Sequence, residues 1–422
     1  MENAIFRGGI TISTFTLRYG RGEVAFTLPP EIHAETIMYR AETAGDAGQT
    51  IRHALANPIG TPRLADIARG KKNAVIIISD ATRLNPSHLF LPELINELNS
   101  AGIPDQAIKV IVALGAHRKQ SEEELRALAG DAVFSRVSVE NHSAQSADCT
   151  PLGTTSFGTP VEINSQVVRA DIRILTGNIE PHRLAGMSGG VKALMPGVAS
   201  VKSIEHNHSL SFRQQAKIGR LDNPVHADMM ETLRFLPVHF LFNTVADHDK
   251  HLLFAAAGDV VKAHEALLQK AREMFIVKTE ANFDLVIASA GGHPKDMQLY
   301  QAAKSLQNAA ALAKPGGAIV LAARCEEVFG NGTLQTWLET MRDFPQMLAA
   351  LSENFRLGAH KIRHIAEIVA RHRVFLYSDI PSPLVRLCGF APVADLPETI
   401  TELAHSAGKI AVMPCAALTF PN

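Results

Sequence analysis

Between Glu180 and Gly197 the sequence reads Glu-Pro-His-Arg-Leu-Ala-Gly-Met-Ser-Gly-Gly-Val-Lys-Ala-Leu-Met-Pro-Gly. One short segment thus carries a proline-restrained histidine, His182, a glycine-rich loop and a lysine, Lys192. Gly186, Gly189 and Gly190 have no Cβ, so a bulky or anionic group can approach the backbone closely there. Exposed N–H groups in such a loop suit a phosphate. Lys192 can meet that phosphate as a cation, or form a covalent link as an amine. The bland alternative is a plain turn with a solvated lysine. The loop is not of the P-loop type, because neither Ser nor Thr follows Lys192 and the glycine spacing differs. Sixteen positions after Lys192 comes His208, in Glu205-His206-Asn207-His208.

Two more motifs offer chemistry: Asp80-Ala81-Thr82-Arg83 and Gly115-Ala116-His117-Arg118. The planar fork of Arg83 suits a substrate carboxylate, in competition with a salt bridge to Asp80. His117 and His182 can each serve as general acid or base, since an imidazole titrates near neutral pH. Taken alone, each reads equally as a loop histidine with a structural hydrogen bond. Lys295, in Gly291-Gly292-His293-Pro294-Lys295, offers a second cation for a carboxylate. His226, His239, His248, His251 and His264 are scattered and read as structural or solvated.

Bringing such groups together needs strands that end side by side. Residues 74–78 form a continuous apolar, largely β-branched run, typical of a strand covered on both faces, and empty into Ser79-Asp80. A helix is predicted from near Ser87, with Leu91, Leu94, Ile95 and Leu98 at helical spacing. The unit repeats with a strand over 108–114, then Ser121 and Glu124 at the spacing of a capping box. Strands over 136–139 and 171–177 follow, the latter leading to His182. This order predicts an α/β fold with largely parallel sheets flanked by helices. In such sheets ligands sit at the carboxyl ends of strands, and Arg83, His117 and His182 all fall just past predicted strand ends.

The first seventy residues read as a β-rich start, with a strand over 22–28 closed by Pro29 and Pro30, followed by helix. A helix over 256–272 precedes a boundary near 275–282. Beyond it come a strand over 283–288, a helix through Ala302, Leu306 and Ala310, and strands over 317–322, 374–377 and 410–413. The expected division is an N-terminal α/β domain over 1–274 and a smaller C-terminal α/β domain over 275–422, whose last residues can pack back on the first. The active site is expected in the interdomain cleft, a common place for ligand pockets.

At 422 residues the chain has room for two or three domains with substantial cores. Its hydrophobic share of 46% and charged share of 20% fit an ordinary globular protein. A net charge of −1 gives no basic bias toward nucleic acid or a membrane surface. Cys149, Cys325, Cys388 and Cys415 form no Cys-x-x-Cys pair, which argues against a disulfide framework or thiolate zinc site and fits a reducing, cytoplasmic setting. The N-terminus shows no signal-peptide pattern, and no apolar run approaches the roughly 20 residues of a membrane helix.

In order and spacing, Asp80-Ala81-Thr82-Arg83, Gly115-Ala116-His117-Arg118, Glu180-Pro181-His182, the stretch from Ala185 to Lys192, Pro196-Gly197 and Asn207-His208 resemble the lactate racemase family that carries a nickel-pincer nucleotide. The resemblance runs from about residue 74 to residue 300, and more faintly to the C-terminus. It implies a racemase or epimerase acting on a small-molecule 2-hydroxy acid by hydride chemistry. His117 and His182 would be acid/base partners on opposite sides of the substrate. Lys192 would carry the cofactor, a pyridinium mononucleotide with thioamide and thiocarboxylate arms, through a thioamide link. Asp80, Thr82, Gly186, Ser188, Gly189 and Gly190 would surround it, Asp80 orienting a cofactor hydroxyl. His208 would ligate nickel together with the pincer's carbon and two sulfurs, and an imidazole suits that metal. His206 is the fallback ligand, since residues two apart on a helix do not share a face. Arg83 and Lys295 would bind the substrate carboxylate, and the enzymes that make the cofactor would be partners. Where the family often continues Thr-Arg-Pro, this chain has Leu84-Asn85-Pro86, which leaves the local turn and the substrate side chain open. Two rivals stand beside this reading. One is a metal-dependent hydrolase built on His182, His206 and His208, though no helical His-Glu-x-x-His is present. The other is a protein that binds a nucleotide or cofactor without turnover, for which two acid/base histidines would be superfluous.

Overall fold

The apolar run at Ala74 forms a central strand because both of its faces are covered. In the computed structural model Ala74–Ser79 lies inside a six-stranded sheet, with Val75, Ile76, Ile77 and Ile78 all buried. The structure describes residues 3–7, 10–214, 216–341 and 343–422, with side chains from residue 13 on. Met1, Glu2, Gly8 and Gly9, part of the stretch read above for a signal peptide, lie outside the described residues.

The chain divides into two compact units, Ala41–Met274 and Met1–Arg40 joined with Phe275–Asn422. In the first, the strand order across the sheet is Leu252–Gly258, Phe240–Ala246, Ile172–Asn178, Ala74–Ser79, Ile108–Ala113 and Ser138–Asn141. All neighbours are parallel except the first pair. Helix Ser87–Ser100 covers one face, burying Phe90, Leu91, Leu94, Ile95 and Leu98 at the helical period. Truncating one of these fully buried leucines to alanine is expected to cost about 2–5 kcal/mol. Helix Glu122–Ala129 starts at the predicted capping box, Ser121 Oγ accepting from Glu124 N at 3.2 Å and Glu124 Oε2 from Ser121 N at 2.8 Å.

The second unit holds a fully parallel six-stranded sheet in the order Ala391–Val393, Arg373–Tyr377, Ala313–Ala322, Phe283–Ser289, Ile410–Met413 and Ala34–Thr36. The α/β class with largely parallel sheets is therefore the fold that the chain adopts. The assignment of residues 1–274 to one domain needs correcting. Strands Ile10–Tyr19 and Gly22–Leu28 bury Phe15, Leu17, Phe26 and Leu28 against Leu285, Ile287 and Val412, and Ala34–Thr36 pairs with Ile410–Met413. This distant apolar partner, invisible in local pattern, draws the first forty residues into the unit of the C-terminal half. The last residues stay within that unit as well, Phe420–Pro421 pairing with Ile276–Val277.

Two element boundaries also move. The predicted helix over 256–272 begins only at Lys262; Ala255, Ala256 and Ala257 lie in an edge strand, opposite Thr244, Asn243 and Phe242. Sheet pairing overrides the helical preference of alanine. The strand predicted over 136–139 runs over Ser138–Asn141 instead, because Arg136 is held back by Asp105, Nε to Oδ2 2.9 Å.

Candidate active site

The sheet of the 41–274 unit has a topological switch point. From Ala74–Ser79 the chain steps outward through Ile108–Ala113 to Ser138–Asn141; Ile172–Asn178 then returns to the other side of Ala74–Ser79 and the chain continues to Phe240–Ala246. Loops leaving the two central strands diverge there and open a crevice at their carboxyl ends, where open α/β sheets bind ligands. Asp80, Thr82 and Arg83 follow one central strand, Glu180 and His182 the other, and His117 the strand beside them. The loops are tied together. Gly115 N donates to Gly197 O at 2.9 Å, and the Gly115 Cα faces the side chain of Ile204, on the helix that bears His208.

Asp80 is buried and its two oxygens are divided. Oδ1 accepts from Thr82 N at 2.9 Å and Thr82 Oγ1 at 2.5 Å, and Oδ2 lies 2.7 Å from His117 Nδ1. Burial alone would raise the Asp80 carboxyl, but the charge and hydrogen bond of His117, the charge of Arg83 and the Thr82 hydroxyl hold it well below the usual carboxylate range. An ionised carboxylate only accepts, so His117 Nδ1 carries a proton and the ring exchanges its other proton at Nε2. The competing salt bridge between Arg83 and Asp80 does not form. Only the backbone of Arg83 bonds Asp80, N to O 3.1 Å, and among the described residues its half-buried guanidinium takes no hydrogen-bond partner.

His182 is tuned the opposite way. It lies on the short strand Pro181–His182, antiparallel to Gly186–Met187, and its Nδ1 accepts the N–H groups of Leu184 and Ala185 at 3.3 and 3.2 Å. The neutral ring therefore carries its proton on Nε2.

Lys192 lies in the 3-10 turn Gly190–Ala193. Its side chain keeps some exposed surface, yet protein surrounds the ammonium, and it is this depth that governs its titration. Desolvation, helped by the Arg83 charge and opposed by Asp80 and Glu180, brings Lys192 down to about 7. The lowered value favours the free amine, a nucleophile, far more than in an ordinary lysine.

The glycines of the loop leave room for the protein's own atoms. A Cβ on Gly186 would fall 1.5 Å from Arg220 O, one on Gly189 2.7 Å from Ile179 Cγ1, and one on Gly190 2.9 Å from the His264 ring, with φ of +81°, +78° and +57°. The bare backbone at these three positions admits the protein's own atoms. Three N–H groups of the loop are engaged within the protein: Ser188 N donates to Glu180 O at 2.8 Å, Gly190 N to Asn243 Oδ1 at 2.8 Å and Lys192 N to Gly189 O at 3.2 Å. Ser188 Oγ bridges Asn178 O and Glu180 N at 2.7 and 2.9 Å, and buried His264 bonds Ser188 O through Nε2 at 2.9 Å. These residues build a tight loop whose product is the position of Lys192.

His206 and His208 share helix Val201–Ser209 but face apart. His206 turns its ring to Gly158 and bonds Thr159 Oγ1 through Nδ1 at 2.8 Å. His208 is buried, with Nδ1 3.1 Å from Asn207 Oδ1. Lys295 belongs to the other unit, half-buried in the loop that follows Phe283–Ser289. In that unit the reading of residue types passed over Gln301, whose amide nitrogen is buried without a partner and whose Oε1 accepts from Lys304 Nζ at 2.8 Å. It also passed over Gln120 and Asn141, which clamp the strand-end loops together: Gln120 Oε1 accepts from Ala81 N at 3.3 Å, and Asn141 Oδ1 accepts from Gln120 N at 2.9 Å. No local pattern marks these amides.

Among the described residues, the one group of three His, Cys, Asp or Glu ligand atoms close enough for a shared ion is Asp247, Asp249 and His251. The hydrolase rival's His182, His206 and His208 form no such cluster. No helix among the described residues is long and apolar enough to cross a membrane.

Comparison with known proteins gives the same picture along the whole chain. Residues 19–219 match the model of the lactate racemase N-terminal domain, and residues 278–416 that of the lactate racemase C-terminal domain. The lactate racemase of Thermoanaerobacterium thermosaccharolyticum is 33% identical over 420 residues, spanning 96% of this chain and 98% of its own. That of Lactiplantibacillus plantarum is 32% identical over 413 residues, spanning 94% and 97%. The solved lactate racemase apoprotein from Thermoanaerobacterium thermosaccharolyticum superposes with a TM-score of 0.85 at 32% identity, covering 97% of this chain and all of the other. A Thermotoga maritima protein shares the fold alone, at a TM-score of 0.71 and 16% identity over 90% of this chain.

Proposed function

Because this chain belongs to the lactate racemase family, and so is an isomerase of the racemase class acting on a small molecule, we propose that it inverts the Cα of a 2-hydroxy acid, lactate or a close analogue, with a nickel-pincer nucleotide attached at Lys192. The observation that carries this reading is Lys192 itself: an enclosed lysine that burial brings down to about 7, within electrostatic reach of Asp80 and Arg83 at the switch point. The residues present fit the group. A free amine is what a covalent amide-type link requires. His208, with its Nδ1 turned to an amide carbonyl, offers the Nε2 donor that suits nickel.

When bound, the cofactor would supply hydride-accepting and hydride-donating chemistry at Cα. The chain's own residues perform the proton transfers and the positioning. His117, its Nδ1 proton fixed by Asp80, takes the hydroxyl proton at Nε2 for one enantiomer. His182 takes that part for the other. To do so its Nδ1 must carry the proton, and the contacts from Leu184 and Ala185, long and therefore weak, must give way. Arg83 holds the substrate carboxylate through its unengaged guanidinium, and Lys295 is proposed as a second contact. Asp80, bonded to both Thr82 and His117, acts on the proton-transfer group more directly than on a cofactor hydroxyl, with Thr82 supporting it. The setting proposed is the cytoplasm, where the enzymes that make the cofactor would be its partners.

The experiment is a screen of single-enantiomer 2-hydroxy acids with protein co-expressed alongside those enzymes, reading the enantiomer formed by chiral chromatography. Inversion of one or more of them is expected. Absence of inversion by nickel-loaded protein across aliphatic, aromatic and dicarboxylic members would overturn the proposal.

A further inference from the structure

Deep beneath His208 lies a chain of polar groups that the reaction itself does not require. Asp228 is fully buried, and among the described residues no Lys, Arg or His forms an ion pair with it. Its carboxylate is met by three donors instead: Thr155 Oγ1 to Oδ1 at 2.5 Å, and Thr159 Oγ1 and Asn207 Nδ2 to Oδ2, both at 2.7 Å. Burying an ionised carboxylate without a counter-charge is expensive unless its hydrogen bonds do something useful or are all satisfied. Here they fix one amide. Asn207 Nδ2 faces two acceptors, Asp228 Oδ2 and Val225 O at 3.1 Å, so its orientation is unambiguous and its Oδ1 points at His208 Nδ1, 3.1 Å away. A carbonyl accepts, so His208 Nδ1 carries the proton and the lone pair is at Nε2.

We propose that Asp228 and Asn207 are positioning residues for metal binding, a buried carboxylate–amide–imidazole relay that fixes the ring and tautomer of His208 and strengthens Nε2 as a donor to nickel. The inference rests on the reading of His208 as the nickel ligand. Its physical basis is general. A metal-bound histidine that gives its other N–H to a fixed acceptor is held in one tautomer and becomes more basic, and an anion at the far end of a hydrogen-bonded chain polarises each link in turn. The same carboxylate explains why His206 is the poorer ligand. Through Thr159 it draws the His206 ring toward Gly158, away from the side of the helix on which His208 lies.

The test uses nickel-loaded holoprotein from a host that makes the cofactor, challenged with EDTA, with nickel per chain followed by elemental mass spectrometry. Wild type is compared with His208→Ala, Asn207→Ala and Asp228→Asn. Asn207→Ala is expected to lose nickel about 10–100-fold faster than wild type. Asp228→Asn should shift in the same direction and should displace the visible absorption of the nickel that remains, a signature that a purely structural role would not give. In both, intact mass should still show the adduct on Lys192. If Asn207→Ala fails to fold by circular dichroism, Asp228→Asn carries the comparison through its spectrum and its nickel loss. Wild-type retention and spectrum in Asp228→Asn, with His208→Ala losing its nickel, would overturn the relay and leave His208 as the ligand. Wild-type retention in His208→Ala would overturn the ligand assignment and the relay with it.

Discussion

The carboxylate of Asp80 lies 2.7 Å from Nδ1 of His117 and directs which nitrogen of that ring can take a proton. An amide in its place would keep the shape but offer an N–H as readily as a carbonyl, allowing the ring to turn its proton to Nε2. Asp80→Asn is therefore expected to lower turnover in both directions by up to about 10⁴-fold, the scale found where a buried aspartate fixes a histidine tautomer. KM should change far less, and nickel content not at all. Equal loss of turnover and nickel would mean that Asp80 serves the cofactor instead.

Lys192 gives a prediction about pH. With burial bringing it down to about 7, its amine form is gained near neutrality, well below an ordinary lysine. In cofactor-free protein an amine-selective reagent should label Lys192 with a rate that climbs through pH 7 and levels off, while surface lysines keep accelerating toward pH 10. The linkage has a definite sign. Between about 7 and the ordinary value of 10.5 the unfolded chain holds a proton that the folded one has released, so this group makes the fold more stable as pH rises through that window. Lys192→Met should flatten that part of the stability profile. A labelling rate for Lys192 that tracks the surface lysines would remove the depressed amine from the argument.

How much of this was legible beforehand follows from which forces are local. Strands such as Ala74–Ser79 and Phe283–Ser289 announce themselves, since burial on both faces demands an unbroken apolar run. The placement of Arg83, His117 and His182 past strand ends followed from the same runs. What stayed hidden depended on partners far away in sequence. The alanines at 255–257 became a strand only because Phe240–Ala246 was there to pair with, and residues 10–40 joined the C-terminal half because their apolar faces fit Leu285 and Ile287. For the glycines of the Lys192 loop, part of the reason for a bare backbone lies in partners distant in sequence. Their absent side chains make room for Arg220, Ile179 and His264, none of which the spacing could reveal. Asp228 had no signal at all, because a buried acid in helix Pro224–Phe235 looks like any surface acid until Asn207 is seen beside it.

That account of the glycines can be checked directly. Gly186→Ala would place a methyl group 1.5 Å from the Arg220 carbonyl at a φ of +81°. Backbone cannot retreat as a flexible side chain can, so the loop must deform, at a cost of about 1–3 kcal/mol or more. A lower melting temperature and poor formation of the Lys192 adduct are expected together. An alanine variant with wild-type melting temperature but no cofactor would return Gly186 to direct contact with the ligand.

Carboxylate anchoring makes a graded prediction. The Arg83 guanidinium has no hydrogen-bond partner among the described residues, so Arg83→Met would remove the proposed substrate contact without breaking a hydrogen bond, although it also takes away a charge that favours ionised Asp80. Loss of a charge-assisted bond, about 1.5–3 kcal/mol, corresponds to about a 10- to 150-fold weaker apparent affinity. Lys295→Met should show the same trend if that residue touches the substrate. Steady-state kinetics with unchanged KM in Lys295→Met would strike it from the site and leave Arg83 as the anchor.

The two histidines test the reaction rather than its parts. Inversion requires both faces of a planar 2-keto acid to be served, and each direction needs one ring to take a proton and one to give it. His117 and His182 follow different strands of one sheet and are held in opposite tautomers, one by a carboxylate and one by two backbone N–H groups. His117→Ala and His182→Ala should each slow racemisation in both directions, by about 10²–10⁴-fold. Their effects should differ in one respect. His182 must exchange the contacts of Leu184 and Ala185 for a proton on Nδ1 before it can work, so substitutions that loosen the 183–185 turn should alter turnover without altering what His117 does. Isotope labelling then separates the chemistries open to the pair. If Cα hydrogen leaves as hydride, substrate deuterated at Cα keeps its label in the inverted product even in ordinary water, in wild type and in whatever activity the histidine variants retain. If the histidines instead remove the Cα hydrogen as a proton, the label exchanges with solvent during a single turnover. Extensive washout in wild type would keep the two bases, discard hydride transfer, and leave Lys192 in need of a different explanation.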